Sequence, residues 1–351
     1  MRSMEPAKPE EPSQLVIPGA VAPFPVLVHH INDNTQALFS ISDNTSRAVT
    51  IPEITGRYFP TSYGWILVLG PPPDWETFLW NPHSGERIQL PEMGVIGDEI
   101  LDNKRCSCLL SDDVASPTCG VLIYDRASPN MWYCRVNGGS HVWLSYDYDI
   151  GSMDVPDETC QAVLVEKKKT FHTIASFKGR FYFDESADTT GTLEFSGDGG
   201  DETESQFGDM DVGWVEFPDG SAAADMFMLE SGGELFHVCI FYTLPCLDAP
   251  SGFGVYKMDF SEPPAWRKTD DIGDRVFLLQ GEFSASSSCS ASECGLRRNL
   301  VYWVNSRVDV TCLYVFDLND GGITMVQPCQ GTPDPLPRPP FWMLPAASSC
   351  Q

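Results

Sequence analysis

Basic residues are scarce in this sequence, which has 22 Lys and Arg against 49 Asp and Glu among its 351 residues. The formal net charge is −27 and the sequence pI is about 4.3. Because such a polyanion repels phosphate groups, we expect neither nucleic acid nor an anionic membrane surface as a partner. Solubility is the simplest consequence of the charge.

Long apolar runs are also missing. No stretch of about 18 apolar residues occurs, so we predict no membrane span. Residues 1–14 are rich in Pro and Glu and contain no apolar segment of the secretory-signal kind, which predicts a disordered tail. We therefore expect a cytoplasmic and/or nuclear protein, whose 12 cysteines are reduced thiols that pack as small hydrophobic side chains.

The motifs of common catalytic and metal sites are absent as well. The sequence has no Gly-x-Ser-x-Gly elbow, no Walker loop and no dinucleotide fingerprint. No Cys-x2-Cys pair with a His-x3–5-His partner completes a zinc set. We predict no catalytic residue, no metal ligand and no cofactor. A carboxylate pair for glycoside hydrolysis remains an open alternative, because so many acidic residues always offer candidate pairs.

What the sequence does have is glycine (29), proline (28) and many short apolar segments. This composition is typical of a fold with many short strands and turns. Residues 62–91 form the most informative unit, which reads as three strands separated by a Pro-rich loop and a tight turn. Asn81-Pro82 ends the second of these strands, and Gly85 supplies a left-handed backbone position in the turn.

Similar units recur at irregular spacing along the chain. Turn residues open strand-like segments at four places, which are Gly64, Gly179, Gly233 and Asn299. A degenerate repeat of this kind predicts an all-β fold, a β-propeller of roughly six or seven four-stranded blades. We assign the propeller to residues 15–331. A pair of β-sandwiches is the structural alternative.

Two charged segments and the last residues are predicted to lie outside the strands. Residues 184–220 are acidic and contain no Lys or Arg, so we expect a flexible acidic loop inserted in the propeller. The cluster at 166–169 (Glu-Lys-Lys-Lys) is interpreted as a solvated turn. Residues 332–351 are expected to form a Pro-rich tail, in which only the apolar segment 341–344 is suited to packing on the body.

Three tryptophans fall in or beside the most informative unit. Trp65 and Trp80 are predicted to anchor the packing between sheets. Trp75 lies in a Pro-rich loop, and exposed aromatic side chains are frequent contact points between proteins. Trp75 is therefore predicted as a partner contact, with packing beneath its own loop as the alternative.

The order of these motifs resembles that of the plant F-box-associated KIB-type β-propeller family, over roughly residues 36 to 325. The segments that carry the resemblance are Ser62-Tyr63-Gly64-Trp65, residues 80–88, Phe177-Lys178-Gly179-Arg180-Phe181-Tyr182, residues 229–235, 253–259, 273–278, 295–303 and 315–318. The resemblance implies structural roles within blades for Gly64, Trp65, Trp80, Asn81, Pro82, Gly85, Gly179, Gly233 and Asn299.

The resemblance also implies a function. Many members of the family carry an N-terminal F-box, a helical module that docks onto the Skp–cullin ubiquitin ligase while the propeller binds a target. Here the residues before the propeller are too few and too Pro-rich for that module, so coupling to the ligase is not expected. We therefore expect a non-enzymatic protein-binding propeller that resembles the substrate-recognition part of F-box receptors. The alternatives are a glycan-active hydrolase or glycan-binding module, and a structural remnant with no specific partner.

Overall fold

The computed structural model of the protein describes residues 25–71, 75–102, 105–137, 142–156, 164–197, 203–213, 215–281, 286–305, 311–328 and 338–344. Within these residues six small sheets form a ring, which is a six-bladed β-propeller with almost no helix. The predicted all-β propeller is therefore confirmed, and the blade number is six.

The first half of the chain forms most of three blades and a separate ribbon. Blade 1 contains β1 (Val26–Asn32), β2 (Thr35–Ser40) and β3 (Thr45–Val49). After a 3-10 turn (Pro52–Ile54), blade 2 contains β4 (Arg57–Pro60), β5 (Ile66–Leu69), β6 (Thr77–Trp80) and β7 (Arg87–Leu90). The helix α1 (Val95–Asp102) leads to blade 3, which contains β8 (Cys106–Leu110), β9 (Gly120–Asp125), β10 (Asn130–Arg135) and β11 (Leu144–Asp147). A two-stranded ribbon follows, formed by β12 (Ser152–Pro156) and β13 (Leu164–Lys168).

The second half forms the remaining blades and returns to the first. Blade 4 contains β14 (Ile174–Phe177), β15 (Arg180–Asp184), β16 (Thr189–Ser196) and β17 (Glu204–Asp211). Blade 5 contains β18 (Ser221–Ser231), β19 (Glu234–Thr243), β20 (Gly252–Asp259) and β21 (Ala265–Thr269). Blade 6 contains β22 (Arg275–Leu279), β23 (Ser287–Ser290), β24 (Leu300–Asn305), β25 (Cys312–Asp317) and β26 (Ile323–Val326). The last described strand is β27 (Phe341–Met343).

The ring is closed by a strand from the C-terminal part of the chain. β27 pairs antiparallel with β1, so that Val26 lies opposite Met343, and blade 1 has the order β27–β1–β2–β3. The Trp342 indole Nε1 donates to the Leu279 carbonyl at 3.1 Å, which ties blade 1 to blade 6. The boundary predicted at residue 331 differs from the structure, because it leaves this closing strand outside the propeller.

One strand of each blade lies at the centre of the ring, and these inner strands are β27, β4, β8, β14, β18 and β23. They run in the same direction. Arg338, just before β27, donates to the carbonyl of Thr55, just before β4, at 2.9 Å. Tyr63, just after β4, hydrogen-bonds to Ser176 near the end of β14. We call the side of the ring where the inner strands begin the start face, and the opposite side the end face.

The core lies between adjacent blades, as it must where both faces of every sheet are covered. Trp65 packs between blades 2 and 3, and Trp80 packs on the other side of the same sheet, between blades 1 and 2. Both predicted anchors are confirmed. The described cysteines are free thiols and are buried except for Cys246, as predicted. Burial raises the pKa of Cys106 and Cys119 to about 12, which keeps these thiols protonated.

The structure differs from the predicted flexible loop over residues 184–220. Strands β16 and β17 occupy much of this segment and pair in regular register, with Leu193 opposite Phe207. The aromatic ring of Phe207 lies 6.4 Å from that of the buried Phe171. Apolar side chains therefore alternate with the acidic ones along these strands, and the acidic composition concealed the alternation. The cluster at 166–169 also differs from the prediction, since most of it lies in strand β13 rather than in a turn.

Candidate functional site

Four turn residues predicted from the sequence occupy comparable places in four blades. Gly64, Gly179, Gly233 and Asn299 each lie immediately or almost immediately before a strand. Their φ angles are 79°, 79°, 79° and 67°, a left-handed conformation that Gly and Asn tolerate best. The predicted repeat is therefore real, and these residues shape turns rather than contact a ligand.

The turn between β6 and β7 also follows the prediction. The Asn81 side-chain oxygen accepts hydrogen bonds from the backbone N–H groups of His83 at 2.9 Å and Ser84 at 3.2 Å. Pro82 is buried and Gly85 has a φ of 74°. This is a local structural motif in which the side chain of Asn81 stabilises the turn.

Asn299 has a second role in addition to its backbone conformation. Its side chain accepts a hydrogen bond from the Ile272 N–H at 3.0 Å and donates to the Asp270 carbonyl at 2.9 Å and to the Asn319 Oδ1 at 3.1 Å. Asn299 is buried, so these bonds satisfy groups that water does not reach.

We predict that Asn299→Ala lowers the free energy of unfolding by about 2–4 kcal/mol, because buried polar groups lose their partners and alanine disfavours a positive φ. Glycine tolerates the backbone conformation but makes none of the side-chain bonds, so Asn299→Gly should lower the free energy of unfolding by less than Asn299→Ala does. Asn319→Ala, at the exposed partner, serves as the control. Urea unfolding checks the order, and equal losses in the three variants would contradict it.

Trp75, the predicted partner contact, lies elsewhere than expected. Its side chain is only 3% exposed and belongs to the core between blades 2 and 3. A Cβ added at Gly97 of helix α1 would lie 2.5 Å from the Trp75 ring, so the ring packs directly against the backbone of this helix. The prediction of Trp75 as a contact is wrong in this structure, because helix α1, which the sequence did not indicate, covers the ring.

Polar side chains meet at the end face. The Tyr63 hydroxyl is hydrogen-bonded to Ser176, and the carboxylates of Glu230 and Asp112 are near it. Burial, with a smaller contribution from these carboxylates, raises the pKa of Tyr63, so the hydroxyl remains neutral. The hydrogen bond joins blades 2 and 4 across the ring, and Glu230 of blade 5 lies nearby as a charge.

Arg275 supplies a further connection at the end face. Its guanidinium donates to the Ser231 hydroxyl at 3.0 Å and to the Ser288 hydroxyl at 2.7 Å. Arg275 therefore joins blade 5 to blade 6 through neutral oxygens. At the end face, Tyr63 and Arg275 are thus both bonded to serine hydroxyls.

A cysteine, a histidine and an aspartate are aligned between blades 4 and 5. The His237 Nε2 lies 3.1 Å from the Asp184 Oδ2, and its Nδ1 lies 4.0 Å from the Cys239 sulfur. Burial opposes a charged imidazole, but Asp184 outweighs it and raises the pKa of His237 to about 10. A protonated imidazole cannot act as a general base, and Cys239 is fully buried. The arrangement is therefore a structural ion pair between blades.

Exposed apolar side chains are more numerous at the start face than at the end face, where Val142 and Phe260 are exposed. Blade 5 projects at the start face, since β18 has 11 residues whereas the other inner strands have 3 to 5. Ser221, at the beginning of β18, pairs with Thr243, so the loop after β19 lies at the top of this projection. Leu244 in that loop is 71% exposed.

The exposed apolar side chains of the start face lie on blade 5 and on the ribbon. The ribbon belongs to the same face, because β11 ends at Asp147, opposite Asn130 and on the same side of blade 3 as the start of β8. Large exposed apolar side chains in these two places are Met153, Leu164, Val165, Phe217, Met226, Leu244 and Leu247. Exposed apolar groups grouped in this way are typical of protein interaction surfaces.

Among the described residues no group of three or more His, Cys, Asp or Glu side chains is arranged to hold a metal ion. The described part of the chain also contains no helix with the length and apolar character needed to cross a membrane.

The match to a protein-family model agrees with the fold. The model of the KIB1-4 β-propeller family matches residues 38–341. No curated protein matches the chain significantly. Among solved structures, a luciferin-regenerating enzyme is similar at 11% identity and a TM-score of 0.28, with 86% of this chain and 88% of that chain covered. The calcium-binding protein regucalcin from Agrobacterium tumefaciens is similar at 9% identity and a TM-score of 0.29, with 85% and 87% covered.

Proposed function

This chain belongs to the KIB1-4 β-propeller family, and from this premise we propose that it is a non-enzymatic propeller that binds another protein through its start face. The observation that carries the proposal is the set of exposed apolar side chains on the projection of blade 5 and on the ribbon. Burial of such side chains by a partner is a main source of affinity in protein interfaces.

The contrast between the two faces supports this choice. At the end face, Tyr63 is already bonded to Ser176 of blade 4, and Arg275 is bonded to Ser231 of blade 5 and Ser288 of blade 6. At the start face, Leu244 and Leu247 are exposed although nearby residues of the same loop are held in place. The Asn305 side chain donates to the Asp248 carbonyl at 3.4 Å, which fixes this loop against blade 6. An ordered apolar surface loses little conformational entropy when it binds.

We propose further that the chain resembles the substrate-recognition part of F-box ubiquitin-ligase receptors. Its role is then to select a target protein, and the Skp adaptor and cullin are partners only if a second contact recruits them. The burial of Cys239 and the protonation of His237 support a binding role over a catalytic one.

A single exposed leucine tests the proposal. We expect that Leu244→Asp lowers the recovery of specific partners by about tenfold in affinity capture of the tagged full-length chain, because a carboxylate replaces an apolar contact. The matched control is Met325→Asp, which alters a 51% exposed apolar side chain on the outermost strand of blade 6. Quantitative mass spectrometry of the bound proteins gives the measurement.

The outcomes separate the possibilities. Equal recovery with Leu244→Asp and with the wild type would contradict the start face as the binding surface. Recovery of the Skp adaptor and cullin would extend the role to a ligase receptor. A chain that retains no protein would favour the glycan-binding or glycan-active alternative, to be tested on a glycan array. Circular dichroism of each variant verifies that the fold is intact.

A further inference from the structure

The ribbon is the one part of the described chain in which two strands stand outside the ring as a separate sheet. β12 and β13 pair with each other only, so among the described residues both outer edges of the ribbon lack a neighbouring strand. Two-stranded ribbons are marginally stable in water, and open edges are suited to the addition of another strand.

The base of the ribbon is firmly attached to the ring. The rings of Tyr148 and Phe171 are stacked with centroids 4.3 Å apart, and both are buried between blades 3 and 4. The Tyr148 hydroxyl accepts a hydrogen bond from the Phe171 N–H at 3.1 Å. Just above, Lys168 forms an ion pair with Asp149. These contacts hold the ribbon in a defined position on the start face.

One side of the ribbon is apolar. The register places Met153 opposite Lys167 and Val155 opposite Val165, and directly opposed residues share a face. Met153 is 48% exposed and Val165 is 38% exposed. Lys167 lies at the base of this face, whereas the valine pair lies nearer the tip. The apolar side chains of a partner would therefore contact Met153, Val155 and Val165 on this side of the ribbon.

The other side of the ribbon carries two carboxylates in its middle, between Ser152 and Lys168 at the base and Pro156 and Leu164 near the tip. Asp154 lies directly opposite Glu166 in the register. Like charges in this position destabilise a strand pair, and a cation between them relieves the repulsion. Lys168 is on the same side, but it is engaged with Asp149. Among the described residues no Lys or Arg forms an ion pair with either Asp154 or Glu166.

We propose that the ribbon binds an extended segment of a partner protein in which apolar residues alternate with lysine or arginine. The segment adds as a third strand, its apolar side chains continue the face of Met153, Val155 and Val165, and its cations lie beside Asp154 and Glu166. This inference rests on the proposed function and specifies the chemistry of the partner.

The net charge of the chain favours a basic segment over a second copy of the chain as the strand that adds to the ribbon. Each copy carries a net charge of −27, so two copies repel each other, whereas a basic segment is attracted from a distance and gains ion pairs on arrival.

The probe is a short fluorescent peptide of alternating valine and lysine, added to the full-length chain at near-physiological salt and followed by anisotropy. We expect this peptide to bind and the matching valine–glutamate peptide not to bind. A copy of the first peptide with alternate backbone amides N-methylated should bind about tenfold more weakly, because it cannot complete the strand ladder.

Variants of the chain locate the binding. Val165→Asp on the apolar face and the pair Asp154→Asn with Glu166→Gln on the acidic face should each weaken binding of the valine–lysine peptide by about tenfold. Met325→Asp should leave it unchanged. The ribbon lies outside the ring, so these substitutions are expected to preserve the fold, which circular dichroism verifies.

Three results would overturn the inference. The first is a valine–lysine peptide that binds the Val165→Asp variant as tightly as the wild type. The second is an N-methylated peptide that binds as tightly as the parent, since attraction to a polyanion alone would then suffice. The third is self-association through the ribbon in analytical ultracentrifugation, which would identify a second copy as the occupant.

Partner capture separates this inference from the proposed function. If Leu244→Asp abolishes partner capture while the ribbon variants do not, the proposed function stands and this inference fails. If neither affects capture, both fail.

Discussion

Replacing Trp342 by alanine is expected to lower the free energy of unfolding by about 3–5 kcal/mol, among the largest effects of any single substitution in this chain. Trp342 is the middle residue of the closing strand and is almost fully buried. Its indole packs in the core shared by blades 1 and 6 and donates to the Leu279 carbonyl at 3.1 Å. The substitution therefore leaves both a cavity and an unpaired carbonyl.

Urea unfolding followed by tryptophan fluorescence and circular dichroism measures this loss. Trp342→Phe is the matched variant, since it keeps an aromatic ring and loses the indole hydrogen bond, and we expect it to cost about 1–2 kcal/mol. A loss below about 1 kcal/mol for Trp342→Ala would show that the closing strand contributes little to the stability of the ring.

Acidification from pH 7 to pH 5 is expected to destabilise the protein through two adjacent histidines. His29 and His30 are both buried, and burial lowers the pKa of each to about 4. An unfolded histidine has a pKa of about 6.5. Between these values the unfolded chain binds protons that the folded chain does not. The stability is therefore complete above about pH 6.5 and is lost as the pH falls toward 4.

The expected loss at pH 5 is about 2 kcal/mol for each histidine, in addition to the effect of other groups. The His30 Nε2 also forms a hydrogen bond with the Tyr58 hydroxyl at 2.8 Å. His30→Gln is chosen because glutamine keeps a polar partner for this hydroxyl. In His29→Leu and His30→Gln, the difference between the free energies of unfolding at pH 7 and pH 5 should shrink by about 2 kcal/mol each. Ser46→Ala, at an exposed residue with no titratable side chain, should leave that difference unchanged. If His29→Leu and His30→Gln leave the difference between pH 7 and pH 5 unchanged, the acid destabilisation does not come from these two histidines.

His237 responds to pH in the opposite direction. Asp184 keeps its imidazole protonated, with a pKa of about 10. A group whose pKa is raised on folding contributes fully below the unfolded value of about 6.5 and loses that contribution as the pH rises through the folded value. His237 therefore changes stability mainly on the alkaline side, and its smaller effect between pH 7 and pH 5 cancels when the His29 and His30 variants are compared with the wild type.

Turns were predictable from the sequence because their requirements are local. Gly64, Gly179 and Gly233 have a positive φ, and a turn that requires this conformation can be recognised from a glycine just before a strand. The fold class followed from the recurrence of such turns. The number of blades did not follow uniquely, because the repeats are irregular in length.

Features that depend on distant residues could not be predicted in the same way. The burial of Trp75 depends on Gly97, which belongs to a short helix that has no strong signal of its own. In blade 6, β22 runs parallel to β24 and β23 takes the inner position, an arrangement set by packing rather than by local preference. The exposure of the apolar side chains on the start face could not be predicted either, because the sequence does not show whether another part of the chain covers a leucine in a loop.

The closing of the ring by β27 has a consequence for the newborn chain. β1 emerges early during synthesis, but its inner edge is paired only when residues 341–343 arrive about 300 residues later. At ordinary translation rates this interval is roughly 15 to 60 seconds. Throughout it, Val26, Leu27 and Val28 are paired with β2 on one side only, and an unpaired strand edge is a site of wrong association. The time that the ribosome takes to reach the closing strand is thus the period in which the inner edge of β1 is open to wrong association.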